Sequence, residues 1–489
     1  MRRSRPGQLP FVFADNPQGS KDDEPSDESR GRAFLMHTAT ARKATGPDAA
    51  TADASRLLER IASPANLASA LLHVARNKGA AGVDGESVSE AVAHAPSLLA
   101  RIRHELLSGT YSPGDIRRAW IKKPGGGQRG LGIPNVVDRW VQQAQHQVLE
   151  PMLDPTFHDC SHGFRTKRGA ETALADVRRH LADGHVWLVN IDLSNFFDEV
   201  NHQRLLARLA RHVEDKRVLA LIHRTLKAKV AMPDGVRLPS TKGTPQGGPL
   251  SPLLSNVVLD ELDWELERRG LRFVRYADDF IVFVRSERAA HRVMDSASRY
   301  IEGRLRLEVN RDKSTVTGPD DTHFLGFRFE VQPGGEAEVH LSKRSIERLK
   351  ARITELTPRT AGRSLKSIMA DVSRYFRGWM AHFRLLTGDG AELLDRYDAH
   401  VRRRIRAIII RQKRRDRHLY RHLRNRGVSH KAAHGTAFRR RGYWKRSLLP
   451  GMHLAYPNSW FAERLVLLRP EWQRLQPKWP ASGQLMLFE

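Results

Sequence analysis

The sequence predicts an α+β fold, and three observations carry that reading. Two β-rich apolar runs, Phe273-Val274 and Phe280 to Val284, flank a tight turn that holds Asp278 and Asp279. A further apolar run, His185 to Ile191, ends on Asp192. Beyond about residue 342 the apolar residues recur at helical spacing and the basic charge rises. A hairpin of the first composition belongs in a buried sheet. Two carboxylates at its tip repel each other and lose hydration unless a cation shares them. A solvated turn that carries two acids is the alternative, and the hairpin alone does not choose.

At 489 residues the chain has room for two or three domains and a sizeable core. A net charge of +27 is far from that of an ordinary metabolic enzyme. Such an excess of Lys and Arg suits a polyanion, because neutralising phosphates releases counterions. A membrane surface is the competing polyanion. No apolar run of about 18 residues spans a bilayer, and no signal peptide with a cleavage site is visible. The single cysteine, Cys160, rules out an internal disulfide and a multi-cysteine zinc site. It reads as a small buried hydrophobe, and a reducing, cytoplasmic setting is expected.

Residues 1–54 are rich in Pro, Gly, Ser, Ala and charge, which predicts a disordered arm. Order begins near Ser55, where Leu57, Leu58, Ile61, Leu67, Leu71, Leu72 and Val74 recur at helical spacing. Ala80 to Gly85 reads as a glycine-bounded loop, and a second helix covers about 95–107. Arg117 to Pro134 reads as a hairpin closed by Pro124-Gly125-Gly126-Gly127. No Lys-Ser/Thr follows those glycines, so a Walker loop is disfavoured, but Lys122, Lys123 and Arg129 can still reach a triphosphate. A helix over about 138–153 follows, then a loop at His162 to Arg165. After the strand ending on Asp192, an amphipathic helix covers about 202–213, and Thr244 to Asn256 opens another helix. A helix from about 287 to 304 and a short strand pair near Phe324 to Phe327 complete this part. In Val401 to Pro450 there are 18 Lys plus Arg against one acid, Asp416. A solvated helix face usually alternates signs, so this window reads as a nucleic-acid surface. Its candidate contacts are Arg402, Arg403, Arg404, Arg406, Arg411, Lys413, Arg414 and Arg415. Aromatics among the charges, such as Tyr420 and Phe438, could stack on exposed bases.

Asp192 at a strand end with Asp278 and Asp279 at a hairpin tip could hold two Mg²⁺ ions, which favour oxygen ligands and substrate phosphates. Ions about 4 Å apart stabilise both attacking and leaving oxygens of an in-line phosphoryl displacement. Nucleotidyl transfer is therefore the leading chemistry. Asp278 is the better second ligand, because neighbouring residues at a turn cannot both aim inward. Asp279 then acts from behind it. Phe197, five residues past Asp192, would sit under an incoming sugar and leave no room for a 2′-hydroxyl. Deoxynucleotides are expected; core packing accounts for one of Phe196 and Phe197.

Ile191-Asp192 to Phe197-Asp198, Gly243 to Gly248 and Tyr276-Ala277-Asp278-Asp279 resemble, in order, the motifs of a reverse transcriptase palm. More narrowly, the chain resembles the bacterial group II intron-encoded reverse transcriptases and maturases over roughly residues 55–475. Gly82 to Gly85, Arg129 to Pro134 with Asp138-Arg139, and Ser161 to Arg165 fit that family. So do Asn310 to Lys313, Phe324-Leu325-Gly326 and Arg377-Gly378-Trp379. The resemblance implies a right-hand polymerase, with fingers and palm over 55–341, a helical thumb and maturase region over 342–415, and a basic RNA/DNA-binding region over 416–489. It also implies that Asp192, Asp278 and Asp279 are the catalytic acids. By the same resemblance, Lys123 and Arg129 contact the triphosphate, Gln246 and Gly247 line the template-nucleotide pocket, and Lys313 approaches the phosphates. Gly130 stands where the family usually carries proline, so the hairpin is expected to be looser there. With one cysteine and an end at Glu489, no cysteine-paired endonuclease is expected.

The expected activity is RNA-directed DNA synthesis from dNTPs on a DNA primer or target. By resemblance the chain also binds its group II intron RNA, assists splicing as a maturase, and takes part in retromobility. The rivals are a maturase with a vestigial polymerase, a domesticated reverse transcriptase in phage defence or repair, and an RNA polymerase, which Phe197 argues against.

Overall fold

The computed structural model describes residues 27–40, 56–122, 127–358, 362–387 and 390–476. Its strands are β1 (Ile116–Lys122), β2 (Gln128–Ile133), β3 (Trp187–Ile191), β4 (Val230–Ala231) and β5 (Arg237–Leu238). They continue as β6 (Arg272–Tyr276), β7 (Asp279–Val284), β8 (Thr315–Thr317), β9 (Phe327–Val331) and β10 (Ala337–Leu341). The chain divides into two compact units, residues 1–176 with 189–316, and residues 177–188 with 317–489. Strands β9 and β10 pair with each other inside the second unit.

In the first unit a small sheet has the order β2-β1-β4-β5, and β1 pairs antiparallel with β2 through the register Trp120↔Gly130. A Cβ at Gly130 would stand 2.6 Å from the Arg118 guanidinium and 3.1 Å from the Trp120 ring. The position is therefore packed over, where looseness was expected. Helices Pro64–Arg76 and Val136–Leu153 pack on each other in the same unit. The buried Trp140 indole donates to the Leu67 carbonyl at 2.6 Å, and the Asn66 amide donates to Ala144 O at 3.0 Å. The Ala80 to Gly85 loop is pinned by Arg117 to Ala81 O (2.6 Å), Arg139 to Ala80 O (2.6 Å) and Val83 N–H to Asn135 Oδ1 (2.9 Å).

The second sheet has the order β6-β7-β3-β8. Phe273, Val274, Phe280, Ile281, Val282 and Phe283 are all buried, which is what an apolar hairpin inside a sheet requires. Helix Ser251–Arg268 packs on it. That helix begins at Ser251 rather than at Thr244, because Pro245, Gly247 and Pro249 hold the preceding segment in a loop.

The expected disordered arm needs correction. Residues Asp27–Thr40 form a helix with Leu35 fully buried, packed on helices Pro64–Arg76 and Val88–Ala93. A Cβ at Gly31 would overlap the Val92 carbonyl, at 1.8 Å from its oxygen. The rest of the segment expected to be an arm lies outside the described residues.

The second unit is mostly helical, with Lys343–Leu356, Leu365–Phe383 and Gly390–Gln412 as its long members. Phe383 stacks on Trp379 at 4.3 Å and meets Phe327 at 5.2 Å. Gly326 (φ +90) turns beneath the Phe383 ring, 3.0 Å from where its Cβ would be. The Phe324-Leu325-Gly326 and Trp379 motifs are thus joined in one packed cluster. Among the described residues no helix is long and apolar enough to cross a membrane.

Candidate active site

Tyr276 and Asp279 pair across the hairpin, leaving Ala277 and Asp278 as a two-residue loop. Ala277, the first residue of that loop, takes φ +59, a backbone region where glycine is the usual choice. The turn is held in that shape from beneath. Arg275 and Asp263 are both fully buried and paired, with Nε 2.8 Å from Oδ1. Arg275 Nη1 also donates to the Ala277 carbonyl at 2.9 Å and to Asn256 Oδ1 at 3.0 Å. The Asn256 amide donates in turn to the Gly163 carbonyl at 2.9 Å. A Cβ at Gly163 would lie 2.3 Å from Ala277 N, so only glycine fits against the turn.

Asp278 is half-buried and Asp279 is exposed, so the two neighbours face differently, as the turn argument expected. Burial pushes the Asp278 carboxyl upward, opposed by its own backbone N–H and the Arg129 guanidinium; the charge of Asp192 adds to the rise and Arg275 opposes it. Asp192 and Asp278, far apart in sequence, therefore act on each other electrostatically. Asp192 follows β3, and its backbone is fixed by Asn310 N–H to its carbonyl (2.8 Å) and by its own N–H to Ser314 Oγ (3.1 Å). The Lys313 ammonium lies 3.6 Å from Asp192 Oδ1. The Asn310 to Lys313 motif thus delivers a cation to the acid that was expected to bind metal.

Among the described residues no group of three or more His, Cys, Asp or Glu side chains is gathered as a metal cluster. What the fold provides is Asp192 with the Lys313 ammonium beside it, and Asp278, whose carboxyl is raised by burial and feels the charges of Arg129 and Asp192. That donor set suits hard divalent cations, since two hydrated carboxylates leave coordination sites for substrate oxygens.

A cavity of about 780 Å³ within the first unit is lined by Arg129, Phe164, Phe197, Gln246 and Gly247 among others, and Arg129 also acts on the Asp278 carboxyl. Arg129 Nε donates to Gln246 Oε1 at 2.8 Å, which brings two of the expected nucleotide contacts together. The loop holding Gln246 approaches β2 so closely that a Cβ at Gly247 would stand 2.5 Å from the Gly132 carbonyl oxygen. Phe196 is core and Phe197 reaches the cavity, its ring 5.3 Å from that of Phe196. Lys123 lies outside the described residues.

In the second unit the basic residues divide by burial. Arg404 donates to the Thr357 carbonyl at 2.8 Å, and Arg406 donates to the Tyr456 carbonyl at 2.7 Å, both buried. These two are structural, because their guanidinium protons are spent on backbone carbonyls inside the unit. Arg403 lies 3.8 Å over the Trp444 ring and Arg411 lies 5.6 Å over Tyr443. Arg402 and Lys413 are half-buried, whereas Arg414 and Arg415 are exposed. The exposed cation face continues through Arg417 and Arg421, which the sequence reading had not singled out. The clamp of Arg275, Asp263 and Asn256 was also missed. Its visible signal is a lone arginine directly after the apolar run Phe273-Val274, in a strand of the hairpin.

Residues 121–329 match the family described as reverse transcriptase (RNA-dependent DNA polymerase). Residues 346–427 match the group II intron maturase-specific domain. Protein YkfC of Escherichia coli (strain K12) is 34% identical over 314 residues, 56% of this chain and 82% of that protein. The group II intron-encoded protein LtrA of Lactococcus lactis subsp. cremoris is 29% identical over 48% of this chain. The match spans 50% of LtrA's own length. Nuclear intron maturase 4, mitochondrial, of Arabidopsis thaliana is 31% identical over 142 residues, 29% of this chain and 18% of that protein.

Proposed function

The chain belongs to the reverse transcriptases that carry a group II intron maturase-specific domain, and from that premise we propose that it copies RNA into DNA and grips an intron RNA. The observation that carries the polymerase is the Arg129–Gln246 hydrogen bond in a cavity also lined by Phe197, in the same unit as Asp192 with Lys313 beside it and the clamped turn of Asp278. Asp192 and Asp278 would hold Mg²⁺, with Asp279 acting from the exposed side of the turn. Bound Mg²⁺ supplies charge neutralisation of the triphosphate and an acidified primer hydroxyl. Lys313, already beside Asp192, neutralises that acid when no other cation does and is free to move to phosphate. Arg129 trades its Gln246 contact for the triphosphate, and Gln246 with Gly247 borders the templating nucleotide. Phe197 closes the space beneath the sugar, which selects dNTPs. The buried Arg275–Asp263 pair holds the turn so that the acids meet substrate without rearrangement.

The partners are a group II intron RNA, as template and as the structure stabilised for splicing, and a DNA primer or target. Retromobility and a cytoplasmic setting complete the reading. Primer extension on an RNA template with Mg²⁺ and dNTPs tests the enzyme. Loss of all extension with RNA binding retained would replace it with a maturase whose polymerase is vestigial. Phe197→Ala should admit ribonucleotides, raising their incorporation relative to dNTPs by about 10-fold or more, the yield of one removed steric clash of a few kcal/mol. An unchanged sugar ratio would place Phe197 in the core alone.

A further inference from the structure

Phe164 has no role in the reading above, yet its setting is unusual. It sits in the Ser161 to Arg165 loop, every other member of which faces inward or is tied down. His162 N–H donates to the Arg275 carbonyl at 2.9 Å, and its ring Nδ1 lies 2.8 Å from Thr172 Oγ1. Gly163 is wedged against Ala277 N, and its carbonyl accepts from Asn256. Arg165 is buried, with Nε to Asp154 Oδ1 at 2.8 Å and Nη1 to the His158 carbonyl at 2.7 Å. Between those anchors Phe164 alone turns outward. It is 45% exposed, with φ +59, and its side chain lines the same cavity as Phe197, Gln246 and Arg129.

A bulky residue in left-handed backbone is an outlier that glycine or asparagine would relieve. Exposing its ring to water adds a second cost. Both costs are concentrated on one aromatic face that opens into a cavity of the size that takes small-molecule ligands. The polar lining of that cavity includes the Arg129 and Arg139 guanidiniums, His73 and His146, the carboxamides of Gln143, Gln147 and Gln246, and a single acid, Glu150. Cations, amides and glycine backbone at the Arg129–Gln246–Gly247 side suit a nucleotide. An aromatic face with no polar partner of its own recognises the π-face of a base, whichever base it is.

We propose that Phe164 is a nucleobase-stacking residue of the polymerase cavity, its ring presented by a loop that is locked to the catalytic turn. The inference rests on the polymerase reading. The nucleobase has two sources, the incoming dNTP and the template–primer, and the experiment separates them.

Phe164→Ala, Phe164→Gly and Phe164→Tyr are compared with the wild type in primer extension. Affinity for a labelled DNA primer annealed to RNA is measured separately by anisotropy. Base stacking removed by truncation predicts a rise of roughly 5- to 150-fold in one constant. If the base belongs to the nucleotide, the dNTP KM rises. If it belongs to the nucleic acid, the template–primer Kd rises. Phe164→Tyr should recover most of either loss. Phe164→Gly should melt at or above the wild-type temperature, because it relieves the backbone, while showing the same defect. KM and Kd both within twofold of the wild type in Phe164→Ala would overturn the proposal. So would a defect that tracks a lowered melting temperature across Phe164→Ala and Phe164→Gly. A wild type that fails to extend any primer would sink the polymerase reading instead. Phe164 is then judged by Kd alone, and an unchanged Kd in Phe164→Ala rejects it.

Discussion

At the scale of single residues, Asp278 links stability to function in opposite senses. Its carboxyl is raised above its ordinary value, chiefly by burial and further by the charge of Asp192. A carboxyl raised on folding binds its proton more tightly in the native chain. The stability it contributes is fully present below the unfolded value, near pH 4, and is lost as pH rises through the raised native value. Above the raised native value the carboxyl of Asp278 therefore opposes folding. Asp278→Asn should melt above the wild type near pH 7, with the difference shrinking toward about pH 4, as thermal melts in metal-free buffer would record. The same variant should lose primer extension while keeping RNA affinity, and Asp192→Asn should share the catalytic loss. A variant that extends primers at the wild-type rate would remove these acids from the chemistry. The acids stood out in the sequence only jointly, because an acid ending an apolar strand and a strongly basic chain accompany the two acids at the hairpin tip, which alone could be a solvated turn. The different facing of Asp278 and Asp279 followed from the turn. What holds the turn did not.

At the scale of elements, the hairpin β6–β7 depends on a partner that only the fold brings near. Asp263 lies on the helix Ser251–Arg268, and its carboxylate takes the Arg275 guanidinium with both side chains fully buried. Nothing in the spacing of the two residues names them as partners, because the helix must first turn back onto the sheet. Removing one member leaves a buried charge, a loss of about 3–5 kcal/mol. Arg275→Met or Asp263→Leu should lower stability by that order in urea titration. The double variant should recover a large part of it, because an apolar pair of similar volume escapes the desolvation cost. Extension should not recover with it, since the Ala277 carbonyl keeps no donor and the left-handed turn is no longer held. Recovery of both together would mean that the pair serves packing alone. The same distinction explains the helix Asp27–Thr40. Its composition is polar and its apolar pattern weak, so the sequence read as an arm, whereas the fit of Gly31 under Val92 and of Leu35 into the core is tertiary.

At the scale of the whole molecule, the charge of +27 was legible as a nucleic-acid signal, but not which cations carry it. An arginine in an amphipathic helix serves the core or the solvent according to the face it falls on, and a dense basic run hides that phase. Arg404 and Arg406 fall inward onto the Thr357 and Tyr456 carbonyls, while Arg414, Arg415, Arg417 and Arg421 stay exposed. Two sets of substitutions should therefore behave differently. Arg404→Ala with Arg406→Ala leaves buried carbonyls without donors, each costing about 1–3 kcal/mol. That pair should lower the melting temperature, and any loss of RNA affinity should follow from unfolding. Replacing Arg414, Arg415, Arg417 and Arg421 with Gln should leave the melt in place and weaken RNA binding. Removing one phosphate-neutralising cation flattens the slope of log K against log salt by about 0.7 for single-stranded and 0.9 for duplex segments. Removing all four would change that slope by roughly 3, far beyond the effect of altered folding. Titrations of RNA affinity across a salt series measure it directly. A slope that stays at its wild-type value would move the RNA footprint off this face and onto the half-buried Arg402 and Lys413 or elsewhere in the chain.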